Sequence, residues 1–378
     1  LENINFDDIR PFHDSEVSAV LEKLAKDNTF IEMVKKIYPH AQAEAYLVNL
    51  KSIHSVFDFQ SVYISGYVNK IIQKTVTSFT YSGLENLNPR KKYLFISNHR
   101  DILLDSAFLN IILFESKFPT TQIAIGSNLL IYPWIMDLVR LNKSFIVKRG
   151  LGGKEMLEAS QQLSAYIRKT LTNNESSIWI AQKEGRTKDG NDKTHIGLLK
   201  MFNYSGSNHF ADDFKELNIV PISISYEFEP CDISKTKEIY TVHSGEKYEK
   251  TPGDDLKSMA GGVNSPKGRV HFEFCEPISE ELEEMAEIKN VNERFENLAR
   301  CIDKRIYKGY KLNEINYIAA DLLSNTNTYQ KYYTEEAKQK IMNYFDKRIS
   351  EIPGNKAEIQ KIFLEIYANP LINWSDIE

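Results

Sequence analysis

The stretch KYLFISNHRDILLD, residues 92–105, decides how the chain is read. Its first half, KYLFIS, is a short apolar run of the kind that makes a strand buried on both faces. Its second half places a histidine, an arginine and two aspartates within residues 99–105, where a helix should open. Working outward, five more short apolar runs follow: TQIAIG (121–126), SFIVKR (144–149), SSIWIAQ (176–182), NIVPISISY (218–226) and RVHFEFC (269–275). Between the earlier runs lie longer segments with helical spacing, DSAFLNIILFE, SNLLIYPWIMDLVRL and GKEMLEASQQLSAYIRKTL. Strands alternating with helices predict an α/β fold, a mainly parallel sheet covered by helices on both faces.

Helical extensions are expected on either side. Residues 14–80 read as helices, with Asp14 as an N-cap and Val17, Val20, Leu21 and Leu24 on one face. From about 280 onward the chain is again helical and polar. The expected division is a helical N-terminal region at 1–84, an α/β domain at 85–280 and a helical C-terminal region at 281–378. The segment 243–268, rich in Gly, Pro, Lys and Ser, reads as a surface excursion before the last strand.

Composition narrows the function. A formal net charge of -5 argues against bulk nucleic-acid binding, so no nucleic-acid partner is expected. Three cysteines, Cys231, Cys275 and Cys301, without CxxC spacing, predict a reducing compartment and no structural zinc. The opening LENINFDDIRPF has no basic start with an apolar run behind it, so no secretory leader is expected there. No apolar stretch reaches the length of a spanning helix. A cytoplasmic protein, soluble or peripheral on a membrane, is the expectation.

Ligands of open α/β sheets gather at the carboxyl ends of the strands. The charged segments NHRD, KRG and QKEGRTK each follow a strand candidate, which points to one site. His99 can act as a general base if a carboxylate fixes its tautomer, and Asp101 and Asp105 are the local carboxylates. Either could instead belong to a satisfied polar turn, with Asp101 capping the helix. His99 and the two aspartates could also ligate a metal, but no second His or Cys cluster supports that. No serine lies in a Gly-x-Ser-x-Gly elbow, so a substrate hydroxyl or amine would attack directly. Lys148, Arg149, Lys183, Arg186 and Lys188 lie at strand ends and suit a phosphate. Neither basic loop is a Walker loop.

SNHRDILLD resembles the His–Asp motif of the glycerolipid acyltransferase superfamily, which includes glycerol-3-phosphate and 1-acylglycerol-3-phosphate (lysophosphatidate) acyltransferases. Three further blocks follow in order over roughly residues 85–280. GSNLLIYPWIMDLVRLNKSFIVKRG resembles the second, IWIAQKEGRTKDG the Glu-Gly-containing third, and IVPISISYE the fourth. Two departures stand out. The family usually places four residues between the His and the Asp, whereas five lie between His99 and Asp105. The third block reads Glu184-Gly185-Arg186, where the family commonly has a further residue before its Arg. On a helix one extra residue turns a side chain by about 100°, so the strand-to-helix turn must absorb it.

The resemblance implies transfer of an acyl group from a thioester, carried by coenzyme A or acyl carrier protein, to a hydroxyl of glycerol-3-phosphate or a lysolipid. It implies His99 as general base and Asp105 as its partner. Arg100, Lys148, Arg149, Glu184, Gly185, Arg186 and Lys188 would line the acceptor site. No metal or other cofactor is implied beyond the thioester co-substrate. Amphiphilic products imply docking on the inner face of the cytoplasmic membrane, for which LLIYPWIM has suitable side chains. An aminolipid acceptor, or a lipid-binding relative that has lost catalysis, are the alternatives.

Overall fold

The computed structural model describes residues 4–207, 209–249 and 253–377. Seven strands form one sheet: β1 (Val76–Ser82), β2 (Leu94–Ser97), β3 (Gln122–Gly126), β4 (Ser144–Val147), β5 (Ile178–Ala181), β6 (Ile219–Tyr226) and β7 (Gly268–Phe274). Their order is β1-β7-β6-β2-β5-β3-β4. The strands from β6 to β4 pair parallel, so their carboxyl ends share one side. β7 runs antiparallel to β6 and parallel to the edge strand β1. The α/β reading holds.

Successive side chains of a strand point to opposite faces, and the cores follow that rule. Leu94, Ile96, Ile178, Ile180 and Ile219 pack under the helices Gly153–Thr172, Ile196–Asn203 and Val291–Lys308. Phe95, Trp179, Val220, Ile222 and Ile224 pack under the helices Ser65–Thr75 and Leu104–Glu115. Residues such as Phe95, Phe108 and Phe145 are almost wholly buried. Burial of each stabilises the fold by about 1.5–3 kcal/mol. Two smaller cores lie outside the sheet. One is built by the N-terminal helices around Val17, Leu21, Phe30 and Leu50, the other by the C-terminal helices around Ile318, Phe345, Phe363 and Tyr367.

Three expectations are corrected. Residues 76–82 are a strand, not the end of a helical region, so the sheet begins ahead of position 85. The helix Ser65–Thr75 runs straight into β1 with no turn residue between them, and pairing with β7 decides the change. Asp14 does not cap its own helix, since its carboxylate accepts from the backbone N–H of Val56 at 2.8 Å. The segment 243–268 is no loose excursion, because it contains the helix Asp254–Asn264. Lys267, fully buried, donates to the carbonyls of Gly262 and Ser265 at 2.7 Å and ties that helix down.

Asp303, on the helix Val291–Lys308, accepts from the Thr194 backbone N–H at 2.8 Å and from its hydroxyl at 2.6 Å. Burial is the main cause that pushes its carboxyl up to about 6. A folded-state value above the unfolded one favours the protonated carboxyl, so its stabilisation is complete below about pH 4 and lost as pH rises through 6. Asp303→Asn keeps the acceptor oxygen and removes the buried charge. It is expected to add about 1–3 kcal/mol at pH 7.5 and little at pH 4, read from urea unfolding midpoints at both pH values.

Candidate active site

β2 ends at Ser97, and the chain turns through Asn98, His99, Arg100 and Asp101 before the helix Leu104–Glu115 begins. Asp101 starts that helix, as its Oδ1 accepts from the backbone N–H groups of Leu103 and Leu104, each at 2.9 Å. Asp105, in the first turn, points back to the strand end. Its Oδ2 accepts from His99 Nδ1 at 2.8 Å, from Arg100 N–H at 2.6 Å and from Asp101 N–H at 3.0 Å. Its Oδ1 accepts from the Tyr226 hydroxyl at 2.8 Å. The residue in excess of the family spacing is therefore taken up in the turn, before helical geometry begins.

The two carboxylates are set apart electrically. Burial works against the charge of Asp105, but the bond and charge of His99 and the two backbone N–H groups outweigh it and hold the carboxyl below its ordinary value. Burial and the neighbouring Asp105 charge raise Asp101. Paired acids pushed in opposite directions are a usual mark of divided roles. With Nδ1–H donating to Asp105, the imidazole presents Nε2 as an acceptor. The ring stands edge-on to Trp179 with centroids 5.6 Å apart, and its side chain is 12% exposed.

The loop after β5 is anchored to this turn. Thr187 N–H donates to the His99 carbonyl at 2.8 Å. Gly185 turns the loop with φ +72°, and a Cβ there would meet open space. Arg186 lies close enough for its charge to act on Asp101, and its Nη1 is buried without a partner. Gly262 closes the other flank, where a Cβ would meet Asp101 Oδ2 at 2.1 Å.

The other cations are not brought to His99 in the same way. Lys148 follows β4, three strands from β2, roughly 14 Å away at normal strand spacing. Its ammonium pairs with Asp8 at 2.6 Å and donates to Gln162 at 3.0 Å. Arg149 donates to Glu184 at 2.9 Å, so Glu184 orders the basic loop. Lys188 pairs with Glu238. Lys183 donates to the Asn191 carbonyl at 3.4 Å.

Arg100 corrects its expected role in substrate binding. Its guanidinium is buried and donates to Asp192 at 2.5 Å and to Glu229 at 3.4 Å. Burial opposes its charge, but Asp192 and Glu229 raise its pKa above the ordinary value. The side chain is built into the protein and turned away from solvent.

Sequence reasoning missed the residues that hold this turn. Lys235, also buried, donates to the Arg100 carbonyl at 2.8 Å and pairs with Glu229. Asp192 further accepts from Asn98 Nδ2 at 3.1 Å and Tyr310 at 2.6 Å. Asp232 binds Tyr344, Tyr367 and Arg348, tying the helix Asp232–His243 to the C-terminal helices. These groups come from stretches far apart in the chain, and no local spacing marks them.

Residues 78–225 match a family model described as Acyltransferase. The chain is 24% identical over 186 residues to the dihydroxyacetone phosphate acyltransferase of Homo sapiens, and 26% over 187 residues to that of Bos taurus. Each match covers 49% of this chain and 26% of the relative, so the chain spans about a quarter of the length of these curated proteins. The crystal structure of the 1-acyl-sn-glycerophosphate acyltransferase PlsC from Thermotoga maritima superposes with a TM-score of 0.35 at 12% identity, over 76% of this chain and 94% of that one. Among the described residues no helix is long and apolar enough to cross a membrane. The segment that matches the acyltransferase family model carries the strands β2 to β5 and the His99–Asp105 turn.

Proposed function

We propose that the chain transfers a fatty acyl group from a coenzyme A or acyl carrier protein thioester to a hydroxyl of a phosphorylated glycerol or a lysolipid. The observation that carries this is the 2.8 Å bond from His99 Nδ1 to the buried Asp105, which leaves Nε2 free at the carboxyl end of the sheet. In this reading Nε2 takes the proton of the acceptor hydroxyl as its oxygen attacks the thioester carbonyl carbon. Asp105 holds the tautomer and stabilises the imidazolium. The tetrahedral intermediate collapses with cleavage of the C–S bond, and the leaving thiolate takes the proton back from the imidazolium. The thioester is a co-substrate, and the scheme calls for no metal or redox cofactor.

Arg186 is the cation best placed to meet the acceptor phosphate, because it lies beside the His99 turn with a guanidinium nitrogen unpaired. Lys148, Arg149 and Lys188 form the outer basic rim, with Gly185 and Glu184 shaping it. The curated relatives are named for dihydroxyacetone phosphate, also a phosphorylated three-carbon alcohol. Exposed Ile131, Tyr132 and Met136 offer an apolar surface for docking on a bilayer, and we place the protein at the inner face of the cytoplasmic membrane.

The test is transfer from labelled acyl-CoA and acyl carrier protein to a panel of glycerol-3-phosphate, dihydroxyacetone phosphate, lysophosphatidate and an aminolipid without phosphate. Esters of the phosphorylated acceptors are the expected products. Transfer to the aminolipid alone would replace this reading by an aminolipid acyltransferase. Lipid binding without transfer to any acceptor would indicate an inactive relative. In the same assay Arg186→Ala should raise the acceptor KM about 10- to 100-fold, equivalent to about 1.5–3 kcal/mol for a charged hydrogen bond. Arg149→Ala should raise it less, since Glu184 occupies that guanidinium. An unchanged KM in Arg186→Ala removes this loop from the acceptor site.

A further inference from the structure

We propose that Tyr226 is a positioning residue of the reaction, fixing the rotation of the Asp105 carboxylate that orients His99; this rests on the reading of His99 and Asp105 given above. Tyr226 is the last residue of β6 and lies one position beyond the segment that matches the acyltransferase family model. Its ring packs in the core beside Phe108, at a centroid distance of 6.4 Å. Its hydroxyl meets Asp105 Oδ1 at 2.8 Å.

The donors are shared unevenly between the two carboxylate oxygens. Three of them, His99 Nδ1, Arg100 N–H and Asp101 N–H, converge on Oδ2. Oδ1 has the Tyr226 hydroxyl. Asp105 is wholly buried, so bulk solvent does not reach Oδ1. Without it Oδ1 would be a buried oxygen with no partner, and the carboxylate would gain by rotating or tilting to find one. Any such rotation carries the ring bonded to Oδ2 with it and turns Nε2 away from the acceptor hydroxyl. Misplacement on that scale is costly to a positioned proton transfer.

Tyr226 also moderates the charge of the pair. Burial, with Asp105 and Asp101 close by, raises the phenol pKa well above its ordinary value, so the group remains an O–H donor. The titratable and charged groups facing Asp105 are His99, Asp101 and Tyr226. Glu229 acts on Tyr226, Arg186 acts on Asp101, and the Arg100 guanidinium is turned to Asp192 and Glu229. A donor to the carboxylate spreads its negative charge and weakens its pull on the imidazolium. Removing the donor concentrates that charge and strengthens its pull on the imidazolium.

The experiment is steady-state kinetics of Tyr226→Phe over a range of pH with the best acceptor of the panel, beside His99→Ala. Phe keeps the ring and loses the hydroxyl. The expected result is a kcat lower by about tenfold with both KM values unchanged. The acidic limb of kcat/KM should shift upward by roughly half a unit to one unit. A second substitution, 3-fluorotyrosine at 226, keeps size and hydroxyl but makes it a stronger donor, and should shift the same limb downward. Opposite shifts from the two substitutions support the proposal, and the fluorotyrosine limb decides the matter should the Phe variant fold poorly. A limb that moves in neither variant, or moves in the same direction in both, overturns it. Failure here with an inactive His99→Ala leaves the acyltransferase reading standing, whereas an active His99→Ala removes that reading itself.

Discussion

His99→Ala should lower kcat/KM for acyl transfer by about two to four orders of magnitude, the usual contribution of a general base. The loss should appear in kcat, because the proton leaves the acceptor hydroxyl only in the transition state. Stability should change little. The ring is not part of the apolar cores, and its contacts are one bond to Asp105 and an edge packed on Trp179. The removal does leave Asp105 with its two backbone donors and Tyr226, so the carboxylate remains satisfied. Single-turnover transfer from labelled acyl-CoA, with thermal melting of the same preparation, is the measurement. A folded variant with near wild-type turnover would remove His99 from the chemistry.

Arg100→Met should be the most damaging of the single changes to stability, at about 3–5 kcal/mol, the cost of removing one partner from a buried ion pair. The guanidinium is buried between Asp192 and Glu229. Once it is gone, Glu229 retains Lys235, and Asp192 retains Asn98 and Tyr310, all neutral or already committed. A charge would remain in the core with half its compensation. Adding Asp192→Asn should return part of the loss, and the double-mutant cycle measures the coupling. Lys148→Ala is the control, since its pair with Asp8 lies in solvent and should be worth less than about 1 kcal/mol. Urea unfolding of wild type, Arg100→Met, Asp192→Asn, the double variant and Lys148→Ala checks the set. An Arg100→Met protein as stable as the control would show the guanidinium to be dispensable.

Legibility differed along the chain for definite reasons. The strands from β2 to β7 were readable because each is a short apolar run bounded by polar or turn residues, and six of the seven in the sheet are of that kind. β1 was not, because VTSFTYS has no fully buried position and follows a helix without punctuation. Its conformation is set by hydrogen bonds to β7, far along the chain. The helix Asp254–Asn264 was hidden in the same way, since its anchor, Lys267, and its contact, Asp101, lie outside its own pattern.

By itself the sequence determined the alternation of strand and helix, and with it the side of the sheet on which His99, the loop of Glu184 and Arg186, and Lys148 and Arg149 emerge. Those are consequences of local periodicity and of chain direction, which a linear string carries. Tertiary structure alone decided which charges are spoken for. Asp105 rather than Asp101 meets the imidazole because the turn absorbs the extra residue and Asp101 is consumed by the helix start. Arg100 is locked inside by Asp192 and Glu229, and Lys148 is taken by Asp8, while Arg186 keeps an unpaired nitrogen beside the site. A hydrogen bond or ion pair exists only where atoms approach within about 3 Å in the right direction. Partners separated by tens to hundreds of residues meet that condition through packing, which residue spacing along the chain does not encode.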